Sequence, residues 1–340
     1  MQLTLVIPGP FDLPASVLAS ADPCTRAFSR LLAADRAPML EDDGLLASSC
    51  RALGIARQSD WPAAPGLARA AGLDPEGAYW LCAEPVTLVV GRDDVRLAGL
   101  VDDLDAHDAQ SLVGALSDHF AADALRFFAP TPRHWFARIP SAQRLETRPP
   151  EAALGAPLFG FLPAGPDAAR WRRWQSELQM LLFEHPANRA RERSRLAPVN
   201  SVWLWGGGTQ PERDAPVSTI FADDERIRDL ARGSAVDCAS VPGSFDALPH
   251  VANVAVWLAP VVSANAAAAL AAIDRVWMAP IERALDAGGL STVELIVGGR
   301  ERAVRFAVRR ASLVRRWRAR FSPPRFSRLL ADLAPELDAA

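Results

Sequence analysis

The chain has 340 residues, of which half are hydrophobic and 23% are charged, so it can bury enough apolar surface to fold as about two globular domains. A formal net charge of −3 and an isoelectric point near 6.0 argue against nucleic acid and anionic membrane as main partners. All 37 basic residues are arginine, which excludes Schiff-base lysine and P-loop chemistry. Small molecules and proteins remain as partners.

The residue types that bind metals are scattered. The four cysteines form no C-x-x-C pair and the five histidines form no H-x-x-x-H pair, so the sequence predicts neither a zinc site nor a thioredoxin-type site. The N-terminal segment lacks the basic region of a signal peptide, and charged residues interrupt the alanine-rich stretch 263–285. We therefore expect a cytoplasmic protein that has no cofactor and does not enter the membrane.

The first half of the chain predicts strands around one helix. The predicted elements are a buried strand, a hairpin, a helix and a second hairpin-like pair, at residues 3–7, 86–90 with 95–100, 105–122, and 125–128 with 135–139. The order strand pair, helix, strand pair indicates a small α+β lobe at about residues 75–150.

The second half predicts a helix that follows a proline-rich linker at residues 149–166 and ends at Pro186. Asp167 can cap this helix. Trp171, Trp174, Leu178 and Leu182 recur at intervals of three and four, so we expect them to form one buried stripe. Further predicted elements are strands at 202–205 and 254–258, a helix at 264–285 interrupted at Pro280, and paired strands at 293–297 and 303–308.

The densest polar cluster is the segment HPANRAR at 185–191. Its histidine, carboxamide and arginine, His185, Asn188 and Arg191, are spaced by three residues and can share one face. Guanidinium offers paired donors to phosphate and carboxylate, so these groups predict an anion site. The alternative is a capped, solvated helix end.

Two other segments could contribute to such a site. Arg133 and His134 begin a predicted strand and could add a cation and a titratable donor, although an exposed hairpin pair is the alternative. Gly206, Gly207 and Gly208 follow another strand, and glycine lets backbone N–H groups approach an anion. A plain loop needs three glycines as readily.

The C-terminal segment carries a run of arginines, namely Arg309, Arg310, Arg315, Arg316, Arg318 and Arg320. Such a run forms either a solvated face or a surface for an acidic protein partner.

Two motifs carry a family resemblance. HPANRAR at 185–191 and PVNSVWLWGGG at 198–208 resemble segments of the archaeal-type cofactor-independent phosphoglycerate mutases of the alkaline-phosphatase superfamily, and more narrowly of the bacterial regulatory protein RpfE family. A weaker similarity covers residues 65–150. The resemblance implies an α/β fold with an alkaline-phosphatase-like sheet-and-helix core, formed by residues 1–74 and 151–340. A smaller α+β lobe at 75–150 is inserted into it as a substrate-type lobe.

The resemblance fails where the metal chemistry of the mutases resides. Members of the family end their first strand with Asp-Gly, and this aspartate binds metal, whereas here the strand ends with Pro8, Gly9 and Pro10. Residues 260–266 contain neither aspartate nor histidine, and Ser48 and Ser49 lack the Gly-Ser-Asp context of the nucleophile. Two-metal phosphoryl transfer needs several carboxylates and imidazoles. We therefore expect no tightly bound divalent metal and no assignable catalytic residue.

Three functions follow as hypotheses. In the first, the chain is a phosphoglycerate-mutase-like pseudo-enzyme that binds a small phosphorylated or carboxylated ligand in a regulatory role. The second is an active mutase or phosphatase with a relocated site, and the third is a regulator that binds a protein partner through the basic C-terminal face.

Overall fold

The structure is a computed structural model that describes residues 2–34, 38–41, 44–92, 94–212, 217–249, 252–309 and 325–338. Its contacts divide the chain into two compact units. Unit 1 comprises Met1–Gly54, Ala215–Ala231 and Ala235–Ala340, and unit 2 comprises Ile55–Asp214 and Arg232–Ser234.

The chain is a mixed α/β protein. The strands are β1 (Gln2–Pro8), β2 (Met39–Glu41), β3 (Tyr79–Val90), β4 (Val95–Leu100), β5 (Arg126–Phe128), β6 (Phe136–Ile139), β7 (Ser201–Thr209), β8 (Thr219–Ala222), β9 (Asp237–Ala239), β10 (Asn253–Trp257), β11 (Thr292–Gly298) and β12 (Ala303–Arg309). The α-helices are α1 (Ala15–Ala21), α2 (Arg26–Leu32), α3 (Gly44–Ala52), α4 (Ala63–Ala70), α5 (Ala106–His119), α6 (Pro150–Ala153), α7 (Ala168–Glu184), α8 (Pro186–Arg193), α9 (Glu225–Gly233), α10 (Ala266–Ile273), α11 (Ala279–Ala287) and α12 (Phe326–Asp338).

Unit 1 is built on a seven-stranded sheet with the order β2-β12-β11-β1-β10-β8-β9. The strands from β11 to β9 run parallel, and β12 and β2 are antiparallel to their neighbours. Leu3, Leu5 and Ile7 of β1 point to one face, where they join the core formed with the helices of this unit. This alternation leaves Gln2 and Thr4 on the opposite face of the same strand.

Unit 2 is built on a five-stranded antiparallel sheet in which the long strand β3 contacts three others. It pairs with β4 near its end, and with β6 and β7 on either side. The helices α5 and α7 pack on this sheet through a core that includes Leu112, Trp171 and Trp174.

The structure confirms the predicted α/β class with a sheet-and-helix core, because the predicted strands and helices all occur in it. Sequence patterns missed β2, β8 and β9, which have only three or four residues. A strand that short shows no usable period, since alternation needs about four to eight residues to be recognised.

The contacts place the unit boundaries away from the predicted ones. Residues 55–74 and 151–214 group with 75–150 in unit 2, whereas the prediction assigned them to the core. The physical reason is strand pairing, because β7 lies beyond the predicted linker and still hydrogen-bonds along β3. The proline-rich linker itself contains α6, whose Ala152 and Ala153 are buried.

Two predicted helices occur in the structure and differ from the prediction in one local detail each. The stripe of Trp171, Trp174, Leu178 and Leu182 on α7 is buried as predicted. Asp167 precedes this helix without capping it, because its carboxylate accepts the N–H of Arg144. The helix at 264–285 is interrupted by a π-helical turn at Asp274–Met278 just before Pro280, which lies in the first turn of α11. Proline is tolerated there because its missing N–H needs no partner.

Candidate functional site

Open α/β sheets bind ligands at the carboxyl edge of their parallel strands, so this edge of unit 1 is the expected location of a site. At the end of β1 this edge is closed by backbone contacts. The N–H of Gly9 donates to the carbonyl of Gly298 at 2.7 Å, and the N–H of Val261 donates to the carbonyl of Pro8 at 2.9 Å. A Cβ atom on Gly9 would lie 2.2 Å from the carbonyl oxygen of Val261. Position 9 therefore has no room for a side chain.

Three carboxylates near this edge each accept a backbone N–H. Asp12, Asp223 and Asp224 accept backbone N–H groups from Arg300, Val241 and Ile227, respectively. Within the described parts of the chain, no three His, Cys, Asp or Glu side chains lie close enough together to hold a metal ion.

We expect Gly9→Ala to destabilise unit 1 strongly. Gly9 has a φ of 103°, which costs about 1–3 kcal/mol for a residue with a Cβ atom, and the contact with Val261 adds a steric cost. The matched control is Gly288→Ala, since Gly288 has a φ of 80° and open space around it. Urea unfolding of both variants measures the difference. Equal losses of stability would show that the packing on Val261 contributes nothing.

The predicted anion groups lie in unit 2, and the two central ones are bonded within the chain. Asn188 is buried, and its side-chain N–H groups donate to the carbonyls of Leu182 and Val199, both at 2.7 Å. Its side-chain oxygen accepts the N–H of Val199 at 2.8 Å. This carboxamide therefore fastens the end of α7 to the segment before β7.

Arg191 binds a carboxylate that the chain itself provides. Its side chain is 4% exposed, its Nε donates to the carbonyl of Ala197 at 2.9 Å, and its Nη2 pairs with the carboxylate of Asp103. The guanidinium thus holds an anion, as its chemistry predicts, but the anion is internal. Binding of an external anion here would require Arg191 to leave Asp103.

The other three predicted residues, Arg133, His134 and His185, contact separate partners in the chain. Arg133 is exposed and donates to the carbonyl of Asp102 at 3.0 Å, while the backbone N–H of His134 donates to the hydroxyl of Thr131 at 3.1 Å. His185 caps α8, its Nδ1 accepting the N–H of Ala187 at 3.2 Å, and burial lowers the pKa of its imidazole. Arg133 and Arg191 therefore contact consecutive residues, Arg133 at the backbone carbonyl of Asp102 and Arg191 at the carboxylate of Asp103.

The three glycines belong to a different network. The strand β7 continues through them, and Gly206 has a φ of 68° at a bulge opposite β3. The three glycines, predicted to follow the strand, are therefore part of it. Gly207 and Gly208 lie against Tyr79 and Pro62, whose atoms would be 2.2 and 2.3 Å from a Cβ atom. Close packing explains why both residues are glycine.

One N–H group of this segment, that of Gly207, faces a carboxylate of the chain, that of Asp60. Asp60 is 4% exposed and accepts the N–H of Gly207 at 3.3 Å and both the N–H and the hydroxyl of Thr147. The same hydroxyl accepts the N–H of Gly206 at 3.0 Å. Burial raises the pKa of Asp60 to about 6, while its hydrogen bonds from Thr147, Trp61 and Gly207 oppose this rise.

We expect Arg191→Met to lower the free energy of unfolding by about 1.5–3 kcal/mol, because the variant leaves the carbonyl of Ala197 and the carboxylate of Asp103 without their charged donor. Arg189→Met, an exposed position on the same helix, is the control. The measurement is urea unfolding of the chain without any ligand. A wild-type midpoint for Arg191→Met would mean that the guanidinium is available for an external anion after all.

Sequence patterns missed a polar cavity in unit 1. It has a volume of about 250 Å³ and lies on the face of the seven-stranded sheet opposite the core. Its lining consists of Gln2, Thr4, Ser48, Arg51, Ala52, Val217, Asn253, Val254, Glu294, Ile296 and Arg305. The sequence pattern that could have indicated this cavity is the occurrence of polar residues at alternate positions of strands that are otherwise apolar.

Comparisons with known proteins give partial similarities. No family model matches the chain. In sequence the chain is similar to 2,3-bisphosphoglycerate-independent phosphoglycerate mutases. It is 41% identical over 63 residues to that of Methanothrix thermoacetophila, covering 18% of this chain and 16% of the relative. It is 24% identical over 144 residues to a probable one of Geobacter sulfurreducens, covering 40% and 36%. The mutase of Methanosarcina mazei is 26% identical over 160 residues, covering 42% and 40%.

Two solved structures align with most of the chain at low similarity. A cofactor-independent phosphoglycerate mutase from Thermoplasma acidophilum aligns with 91% of this chain and 89% of its own at 17% identity, with a TM-score of 0.43. The PH0037 protein of Pyrococcus horikoshii aligns with 90% and 87% at 13% identity, with a TM-score of 0.46. The matched sequence covers less than half of each curated relative.

Among the described helices, none is both long enough and apolar enough to cross a lipid bilayer.

Proposed function

We propose that this chain is a phosphoglycerate-mutase-like pseudo-enzyme with an alkaline-phosphatase-like core and a lost metal site. It binds a small phosphorylated or carboxylated ligand and serves as a cytoplasmic regulatory protein, as the resemblance to the RpfE family implies. The sequence similarity to phosphoglycerate mutases supports the ancestry.

The observation that carries the proposal is the end of β1. The family resemblance implies a metal-binding aspartate there, and this chain has Pro8, Gly9 and Pro10. The backbone of Val261 occupies the space that a side chain on Gly9 would need. Two-metal phosphoryl transfer requires carboxylates that converge on the metal ions. The carboxylates near this edge, Asp12, Asp223 and Asp224, each accept a backbone N–H instead, and among the described residues they form no cluster that fits such a site.

The test separates binding from turnover. The purified 340-residue chain is assayed for conversion of 3-phosphoglycerate to 2-phosphoglycerate with and without Mn²⁺. Binding of 3-phosphoglycerate and of glycerate is measured by isothermal titration calorimetry. We expect binding of at least one of these two acids and no conversion above the rate without protein.

Two results would overturn this proposal. Conversion that requires Mn²⁺ and is abolished by EDTA would establish an active mutase. The absence of binding by either acid would favour the regulator that binds a protein through its C-terminal arginines. Of those arginines, Arg309 is described and exposed at the end of β12, and the other five lie outside the described residues.

A further inference from the structure

A row of side chains crosses one face of the sheet of unit 2. Arg126 of β5 is directly opposite Arg138 of β6, and Arg138 is directly opposite Trp80 of β3. Residues in such pairs point to the same face of a sheet, with Cβ atoms about 4.5–5.5 Å apart. Phe128 and Phe136 are the next pair on that face, and the ring centroids of Trp80 and Phe128 are 5.4 Å apart. Two arginines therefore lie side by side next to an aromatic cluster.

The row lies on the face of these strands that is turned away from α5 and α7. Leu81, Phe127 and Ala137 alternate with the residues of the row and belong to the core that those helices cover. On the opposite face, Arg126 is exposed and Arg138 is half-buried. Solvent therefore reaches both arginine side chains.

The two arginines lack a counter-charge from the chain. Like charges opposite each other on neighbouring strands destabilise a sheet. Elsewhere in unit 2 the buried Arg191 is paired with the carboxylate of Asp103. Among the described residues, however, neither Arg126 nor Arg138 forms a hydrogen bond or an ion pair through its guanidinium group. The sheet thus holds two adjacent positive charges, which an anion from outside the chain can neutralise.

The charge and spacing of the pair favour a phosphate group over a carboxylate. A phosphate monoester carries about −1.5 to −2 charges at pH 7 and has three acceptor oxygens. Guanidinium binds phosphate through two parallel N–H donors, so two neighbouring arginines can share one phosphate group. A carboxylate carries a single charge on two oxygens, which leaves one of the two arginines without compensation.

We infer that Arg126 and Arg138 bind the phosphate group of a phosphorylated ligand on this face of unit 2. The inference rests on the proposed function and selects its phosphorylated ligand over the carboxylated one. It also assigns the ligand to arginines other than Arg191, whose guanidinium group already has the carboxylate of Asp103.

The test compares 3-phosphoglycerate with glycerate, the same acid without its phosphate group, in calorimetric titrations of the 340-residue chain. We expect 3-phosphoglycerate to bind more tightly. Arg126→Gln and Arg138→Gln are each expected to weaken its binding at least tenfold, because each removes one charge-assisted contact. Arg92→Gln is the control and keeps wild-type affinity, since Arg92 is exposed and lies beyond the opposite end of β3.

A charge reversal separates loss of the site from loss of folding. In Arg126→Glu a carboxylate faces Arg138 and replaces the like-charge pair with an opposite-charge pair. We therefore expect this variant to lose 3-phosphoglycerate binding while the urea midpoint of the free chain rises. A midpoint below that of wild type would show that the two arginines do not repel each other, which overturns the reason for a bound anion.

The remaining outcomes separate this inference from the proposed function. Binding of 3-phosphoglycerate that no variant of Arg126 or Arg138 weakens would place the phosphate group elsewhere, which overturns the inference and leaves the proposed function standing. Tighter binding of glycerate than of 3-phosphoglycerate would overturn the choice of the phosphorylated ligand. No binding of either acid would overturn both the inference and the proposed function.

Discussion

Trp174→Ala is expected to lower the free energy of unfolding by about 3–5 kcal/mol, the typical cost of removing a large aromatic side chain from a core. Trp174 is 3% exposed, and its ring packs edge-on against Trp171 with 5.0 Å between ring centroids. It also contacts Phe120, and the guanidinium of Arg170 lies 5.0 Å from its ring centroid. Because the neighbours come from α7 and from Phe120, the residue after α5, their collapse into the vacated space is limited.

The measurement is urea unfolding followed by circular dichroism. Met180→Ala on the same helix is the control, since Met180 is 72% exposed and its removal should change stability by no more than about 0.5 kcal/mol. An unchanged midpoint for Trp174→Ala would contradict the buried stripe on α7.

A second large effect is expected from pH. The pKa of Asp60 is raised in the folded chain to about 6, from 3.8, because burial penalises the charged carboxylate. The folded state therefore favours the protonated form. The stability linked to Asp60 is fully present below about pH 4 and is lost as pH rises through about 6. A shift of about two pKa units corresponds to roughly 3 kcal/mol.

Asp60→Asn should remove this dependence, since the amide does not titrate in that range. Urea unfolding of wild type, Asp60→Asn and the exposed control Asp118→Asn between pH 4 and pH 7 measures the effect. We expect wild type and Asp118→Asn to lose stability to the same extent over this range, and Asp60→Asn to lose about 3 kcal/mol less. An equal loss in all three proteins would show that the carboxylate of Asp60 is not the group that titrates.

The sequence was most informative about local structure. The spacing of Trp171, Trp174 and Leu178 predicted both the helix α7 and its buried face, because an α-helix returns to the same face every three or four residues. The apolar run at residues 3–7 predicted β1 for the corresponding reason. Neither pattern reveals which strand becomes a neighbour, so the pairing of β7 with β3 and the extent of unit 2 were not predictable.

In the candidate site, too, the sequence predicted local features but not which distant residues they contact. Arg191 and Gly207 were identified as groups that bind anions, and in the structure each of them binds a carboxylate of the chain itself. Asp103 lies 88 residues from Arg191, and Asp60 lies 147 residues from Gly207. No local pattern connects residues so far apart.

By itself, the sequence determined the α/β class, the positions of the longer helices and strands, and the absence of an aspartate at the end of β1. These are local properties, fixed by backbone periodicity and by the residue at one position. Only the tertiary structure decided which carboxylate each donor meets and that Thr4, Glu294 and Arg305 border one cavity. Those relations depend on the order of strands in two sheets, which brings together residues that are distant in the chain.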